Sequence, residues 1–416
     1  MSRRHRLREY EPVRVDRLRP SFEQAAASLT AELQPTIRLL SVTGDSIAFR
    51  NVIGSFALPN GDVAEVAPKI DGEDWTTSVI ELLSDTTRLS VTGSQRSRPS
   101  ARKNDLSAAL ALEYARRLER ALRADGPLQV YERRHELSRR PNGRLDVSKW
   151  VRQLATDPVR YPLSRDDFTV SNDFTRGLSV IAGLLSRSAP GGEIAAKLRR
   201  LQAAVVPGTA LPSFVDPAVG RRTLPAQWSR YLPAWDIAAP LLRNRSVVGR
   251  SGHASGLEVA VEPWPLLETM LERALERVHL IDSQIVFVPK GTYPLLRASG
   301  GRVARSVEPD GLLRWHDGRA AASFEAKYTT SSADPKREHV FQALATASAL
   351  RSPVAVIVLP NDKSPQVYDV TGFNLEPRVL VTVGLPLFNY RKGPTDLENA
   401  QKLLTAVSAA TRTVSD

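Results

Sequence analysis

Between residues 307 and 328 the chain reads VEPDGLLRWHDGRAAASFEAKY, with apolar and polar positions alternating on either side of Asp317-Gly318. A period of two is the mark of a strand with one buried face. Asp-Gly between two such runs signals a hairpin, because a type I′ turn needs positive φ at both central residues. With Asp317-Gly318 as a two-residue loop, His316 faces Arg319 and Asp310 falls opposite Glu325. One face then carries Gly311, Leu313 and Trp315 with Ala320, Ala322, Phe324 and Ala326. The other carries Asp310, Arg314, Ser323, Glu325 and Lys327. A slip of one residue would exchange the faces, so the pattern pins the register. Pro309 biases Glu308 towards extended geometry and lets the first arm run into Asp310.

The same reasoning places other elements. FRNVIGSFALPNGDVAEVAPKI (49–70) reads as a second hairpin, its arms Val52–Leu58 and Val63–Ile70 joined at Asn60-Gly61, within a β-rich stretch over 10–70. Helical period appears at 75–88, 105–124, 172–187, 193–204, 264–279, 336–350 and 394–410. Strands are expected at 284–288, 353–360 and 379–387; PVAVIVLP is a continuous apolar run of the kind a buried strand shows. Residues 125–160, broken by Pro127, Pro141-Asn142-Gly143 and Pro158, read as short strands and loops. Residues 205–225 read as a long loop, and SVVGRSGHASG (246–256) as flexible. No internal repeat or low-complexity tract is found. Helix, hairpin, helix and buried strand after residue 257 give a mixed sheet flanked by helices, an α+β or mixed α/β class.

Composition narrows the function. At 416 residues the chain has room for two or three domains. It contains no cysteine, which excludes disulfides, thiolate zinc sites and cysteine nucleophiles. The basic start MSRRHRLREYEPVR lacks an apolar segment after it, so no secretory signal is expected. No apolar run nears the ~20 residues of a membrane span; a cytoplasmic protein is expected. The net charge of +12 is carried mostly by arginine, which binds phosphate in bidentate fashion and points to nucleic acid.

The hairpin carries the candidate chemistry. Directly paired residues have Cβ atoms roughly 5 Å apart, so Asp310 and Glu325 are able to share one divalent cation, with Lys327 on the same face. A D/E-x-K triplet alone says little, since Asp334-Pro335-Lys336 is another. In the helix WPLLETMLERALERV, Glu268 lies at the edge of the apolar face and needs a partner once desolvated. Gln342, on the polar flank of 336–350, is placed to hydrogen-bond water or phosphate. The chain has no GxxxxGK[ST] loop, so no NTPase activity of its own is expected.

A helix glutamate, Pro309-Asp310, Glu325-Ala326-Lys327 on a hairpin and a later helix with Gln342 resemble, in order, the centre of PD-(D/E)xK nucleases. The wider chain resembles the McrC family, the nuclease subunit of McrBC-type modified-cytosine restriction systems. The matching blocks are IGSFALPNGDVAEVAPKI (53–70), GRLDVSKWVRQLATDP (143–158), DDFTVSNDFTRGLSVIAGLL (166–185), PLLETML (265–271) and HVFQALATA (339–347). Thr346 stands where the family has a tyrosine, and the stretch 205–256 is longer than usual.

The resemblance implies a β-rich, partner-docking domain over 1–160, with the Asn60-Gly61 hairpin as a candidate projection. A nuclease domain over 161–416 follows, helical over about 165–250 and with its PD-(D/E)xK core over about 257–390. It implies Mg²⁺ held by Asp310 and Glu325, with Glu268 as a further ligand, direct or through water. Lys327 and Gln342 are implied in catalysis. The implied substrate is double-stranded DNA, and the implied partner is a separate McrB-like AAA+ GTPase whose hydrolysis the chain stimulates. Two alternatives stand beside this: a GTPase-activating scaffold with a silent nuclease centre, and a PD-(D/E)xK nuclease of another defence or repair system.

Overall fold

The computed structural model describes residues 3–35, 37–70, 72, 74–83, 89–94, 105–189, 191–243, 256–330, 334–372 and 376–415. The end of the helix expected over 75–88 and nearly all of the segment 246–256 lie outside the described residues. Two compact units emerge. The first comprises Met1–Ser94, Arg102–Ala109 and Glu258–Asp416, and the second Gln95–Ala101 and Leu110–Leu257. The sequence reading divides the chain once, near residue 160. The chain leaves the first unit after Ala109 and returns to it at Glu258.

That return is visible in a five-stranded sheet ordered Arg4–Arg8, Val63–Ala67, Ile53–Ala57, Gly256–Val261, Leu89–Ser94. Ile53–Ala57 and Val63–Ala67 form the expected antiparallel hairpin. Its far neighbour, antiparallel to Ile53–Ala57 with Ala260 opposite Gly54, comes from residues more than halfway along the chain. The β-rich reading of 10–70 is corrected in one place: Arg19–Leu33 is a helix. Phe22, Ala25, Ala26, Leu29 and Leu33 recur at helical spacing and bury against Phe49, Phe56 and Val66. Each large apolar side chain so buried contributes about 1.5–3 kcal/mol, and Pro20 in the first turn fits a helix start.

A six-stranded mixed sheet holds the second half of this unit, in the order Ile285–Val288, Gly311–Trp315, Ala320–Ala326, Val354–Leu359, Val379–Gly384, Gln366–Asp369. Ala320–Ala326, Val354–Leu359 and Val379–Gly384 run parallel; the others are antiparallel to their neighbours. The helix Arg337–Leu350 packs Ala343, Leu344 and Ala347 on Ala355, Ile357 and Leu380. The helix Pro263–Arg277 buries Leu267, Met270, Leu271 and Leu275. The central strands are therefore buried on both faces, as parallel strands require. The face expected to carry Asp310, Arg314, Ser323, Glu325 and Lys327 contains buried Leu312 as well.

Both Asx-Gly turns differ from the two-residue loops that their sequences suggest. At Asp317-Gly318 the Trp315 N–H bonds to Arg319 O and the Gly318 N–H to Trp315 O, with Gly318 at φ +85°. The loop is therefore His316–Gly318, closed by a glycine in the left-handed region. The Leu58–Asp62 turn is built the same way, with Gly61 at φ +84°. This is the three-residue hairpin loop with a terminal left-handed residue. A register shift between Leu313 and Arg314 leaves Ala321 as an extra residue and undoes the offset. Beyond the bulge, Gly311 pairs with Phe324 and Leu312 with Ser323, the frame that a two-residue loop would have given.

The second unit contains the three-stranded sheet Val130–Ser138, Tyr161–Thr169, Arg144–Leu145. Val130–Ser138, in the stretch where short strands and loops are expected from the prolines, pairs over its whole length with Tyr161–Thr169. The helices Asp173–Ser188 and Gly192–Val205 follow. Leu232–Arg243 is a helix that the reading of 205–256 as loop-rich did not place. Among the described residues, no helix is long and apolar enough to cross a membrane.

Candidate functional site: a carboxylate–lysine centre

The restored register delivers Asp310 and Glu325 to the same end of the hairpin. The Asp310 N–H bonds to Phe324 O at 3.0 Å, and its Oδ2 accepts the Ala326 N–H at 2.8 Å. Asp310 thus caps the first arm and is tied to the backbone beside Glu325. Glu325 sits opposite Ile357 of the parallel neighbour and is 2% exposed. Its Oε2 accepts from Lys327 Nζ and from Gln342 Nε2, both at 2.9 Å, and its Oε1 from Thr346 Oγ1 at 2.9 Å. Gln342 and Thr346 stand four residues apart, so one helical stripe supplies donors to both oxygens. The backbone of Lys327 continues the ladder through a 2.8 Å bond from its N–H to Val358 O, which fixes the root of its side chain.

Burial pushes the Glu325 carboxyl above its ordinary range, against the opposing pull of Lys327. Glu268 is pushed up to about 6, first by burial and then by the charge of Asp310. Its Oε2 accepts from Lys290 Nζ, which also donates to Asp310 Oδ1 at 3.4 Å. Burial works to lower the Lys290 ammonium, but Glu268 and Asp310 outweigh it, so it ends above its usual value. Lys290 thus sees two anions, while the rise at Glu268 comes from burial and then from the charge of Asp310, which Lys290 only partly offsets.

The structure therefore brings Asp310, Glu325, Lys327 and Gln342 together, and Glu268 joins them through Lys290. Among the described residues, no group of three or more His, Asp or Glu side chains is drawn around one point tightly enough to hold a metal ion. Asp310 and Glu325 are carboxylates of the type that hold Mg²⁺, an ion commonly bound by one or two carboxylates with several waters retained. The donor set is all hard oxygen, as that ion prefers.

Sequence reasoning missed three features. Thr346 is 1% exposed and holds Glu325, so the departure at this position lies inside the centre. Lys290 lies in a Pro-Lys-Gly loop without periodicity. The register of Ile285–Val288 against Gly311–Trp315, continued by two residues, puts it opposite Asp310. The third is a wall built from the N-terminal strands. Glu9, 2% exposed, is pushed up to about 7 by burial. It accepts from Tyr328 Oη at 2.5 Å and from the Lys69 N–H at 3.1 Å. Lys69 Nζ donates to Tyr328 O at 3.0 Å and lies 4.3 Å from the ring centres of both Tyr10 and Tyr328. The Pro-Lys-hydrophobic signature of the N-terminal block thus grips the residue next to Lys327. Centre and wall share a cleft of about 840 Å³, in which Arg8, Lys69, Lys327 and Lys336 alternate with Glu9, Glu268, Asp310 and Glu338. The cleft is mixed in sign rather than uniformly basic.

Fold and site together define an α+β protein with a carboxylate–lysine centre set at the end of a mixed sheet. The chain belongs to the McrC family: the family model described as McrBC 5-methylcytosine restriction system component matches residues 47–359. No curated protein sequence matches it. Two solved structures are similar. One is a chain of the refined half-complex from the tetradecameric assembly of Thermococcus gammatolerans McrB AAA+ hexamers with bound McrC. It is 14% identical at a TM-score of 0.63, and the match covers 97% of this chain and 99% of that one. The other is from the cryo-EM structure of the Thermococcus gammatolerans McrBC complex, 15% identical at a TM-score of 0.44, covering 66% of this chain and 88% of that one. At these identities the first likeness concerns the fold.

Proposed function

We propose that the chain is the Mg²⁺-dependent endonuclease subunit of a type IV, modified-cytosine-dependent restriction system. It would cut double-stranded DNA in the cytoplasm, together with a separate AAA+ GTPase whose hydrolysis it stimulates. The observation that carries the reading is the meeting of Asp310, Glu325 and Lys327 at one end of the hairpin, in the order of a PD-(D/E)xK centre. The family and the McrB AAA+ hexamers of the similar assembly support the partner. Docking is assigned to residues 1–160, with the exposed turn at Asn60 as a candidate contact.

Asp310 and Glu325 would hold the ion, with Glu268 reaching it through water. When bound, Mg²⁺ would supply a Lewis acid for the phosphodiester and favour deprotonation of water. Lys327 places a fixed positive charge beside Glu325, where it orients the attacking water and offsets charge developing on the phosphate. Gln342 and Thr346 hold Glu325 in one rotamer, and the free oxygen of the Gln342 amide is available to water. The cations of the cleft bind the DNA backbone.

Glu325→Ala, with Glu325→Gln as the variant that retains the hydrogen-bonded shape, is expected to abolish cleavage of methylated DNA in the presence of the GTPase, GTP and Mg²⁺. Stimulation of GTP hydrolysis is expected to persist in both. Retained cutting in the Gln variant would overturn the assignment.

A further inference from the structure

We propose that Lys290 fills the second cation place of this centre, so that the centre takes one divalent ion rather than two. The inference rests on the nuclease reading of Asp310 and Glu325. Hydrolytic centres of two-ion type need carboxylates bridging a second metal. Here the two acids available for that purpose, Glu268 and Asp310, both close on Lys290 Nζ.

Three observations support this. First, Lys290 is 41% exposed, yet its place beside the two acids follows from the neighbouring strand. Its strand is hydrogen-bonded to the first arm of the hairpin with Val288 opposite Leu312, and the same register puts Lys290 across from Asp310. Asp310 Oδ2 in turn accepts the Ala326 N–H beside Glu325, so Lys290, Asp310 and Glu325 follow one another across the end of the sheet. Second, Glu268 Oε2 and Asp310 Oδ1 already meet one cation between them, Lys290 Nζ, which donates to both. Third, the charges balance for one ion. Glu268, Asp310 and Glu325 face the ammoniums of Lys290 and Lys327, one positive charge short. One divalent ion leaves a single positive excess, which a phosphodiester neutralises; a second would leave a large uncompensated charge in a partly buried site. Lys290 is thus a positioning residue: it holds Glu268 and Asp310 and supplies fixed charge where a second ion would stand.

The test is the number of Mn²⁺ ions bound by the full chain, counted by calorimetry and by electron paramagnetic resonance without DNA. The expected counts are one for the natural chain, one for Lys290→Arg and two for Lys290→Ser, which leaves Glu268 and Asp310 facing each other without a cation. Should the serine variant fail to fold, Lys290→Gln carries the same expectation. Glu325→Gln is expected to bind none. Two ions in the natural chain, or an unchanged count on neutralising Lys290, would overturn the inference and leave the nuclease reading in place. An ion retained by Glu325→Gln, or none bound by the natural chain, would overturn both.

Discussion

Glu9 is a carboxyl group built into the wall of the cleft that keeps its proton to higher pH than an ordinary glutamate. Burial raises it from 4.5 to about 7, in spite of the Tyr328 hydroxyl and Lys69. In the unfolded chain it titrates near its ordinary value, so between about pH 4.5 and pH 7 the folded state binds more protons than the unfolded one. Stability contributed by this group is full below pH 4.5 and is lost as the pH rises through 7. A shift of this size, at 1.36 kcal/mol per pH unit, corresponds to about 3 kcal/mol. Glutamine has the same shape and an oxygen to accept from Tyr328 and Lys69, but it does not titrate. Glu9→Gln is therefore expected to match the natural chain near pH 4.5 and to exceed its stability by about 3 kcal/mol at pH 8. Urea midpoints from pH 4.5 to 8.5, followed by the fluorescence of the first unit, give the comparison. A difference that stays flat with pH, or one that favours the natural chain at pH 8, would refute a protonated Glu9.

Two further expectations follow from packing. Thr346→Val removes the donor to Glu325 Oε1 while keeping the volume, and leaves a buried carboxylate oxygen unpaired. It is expected to cost about 1–3 kcal/mol in thermal unfolding and to lower cleavage more than it lowers partner binding. Gly54 has φ +111°, and a Cβ there would lie 2.2 Å from the Val259 carbonyl oxygen. Gly54→Ala is expected to cost more than about 3 kcal/mol, read as loss of soluble protein or a fall in Tm. An alanine variant of unchanged Tm would show that the backbone approach is looser than described.

Most of the helices and buried strands were legible because their apolar residues keep a strict period over many positions. The frame that joins Asp310 to Glu325 was legible for a less direct reason. Asp317-Gly318 suggests a loop one residue shorter than the real one, and the bulge at Ala321 compensates, so two local departures cancel at the site. Neither has a sharp sequence signal, since three consecutive alanines give no hint of which one bulges. The Arg19–Leu33 helix was hidden by its small buried alanines. Lys290 was illegible because its place depends on which strand neighbours the hairpin, a long-range fact that periodicity does not carry. Thr346 was visible as a departure, but its hydroxyl acquires a role only once the helix Arg337–Leu350 is laid across the Glu325 face. The Glu9, Lys69 and Tyr328 wall joins residues some 260 to 320 positions apart, and a single chain offers no local signal for that.

The strand Gly256–Val261 also sets a timetable for synthesis. Ile53–Ala57 emerges from the ribosome early, yet one of its two neighbours is made roughly 200 residues later, a wait of about 10–40 s at ordinary translation speeds. Through that interval one side of the strand has no mate and is open to mispairing with another nascent chain. A polypeptide terminated at residue 160 would carry the same vacancy permanently. Fragments meant to isolate the N-terminal sheet should therefore splice residues 256–261 back in, or they will report on aggregation rather than on partner binding.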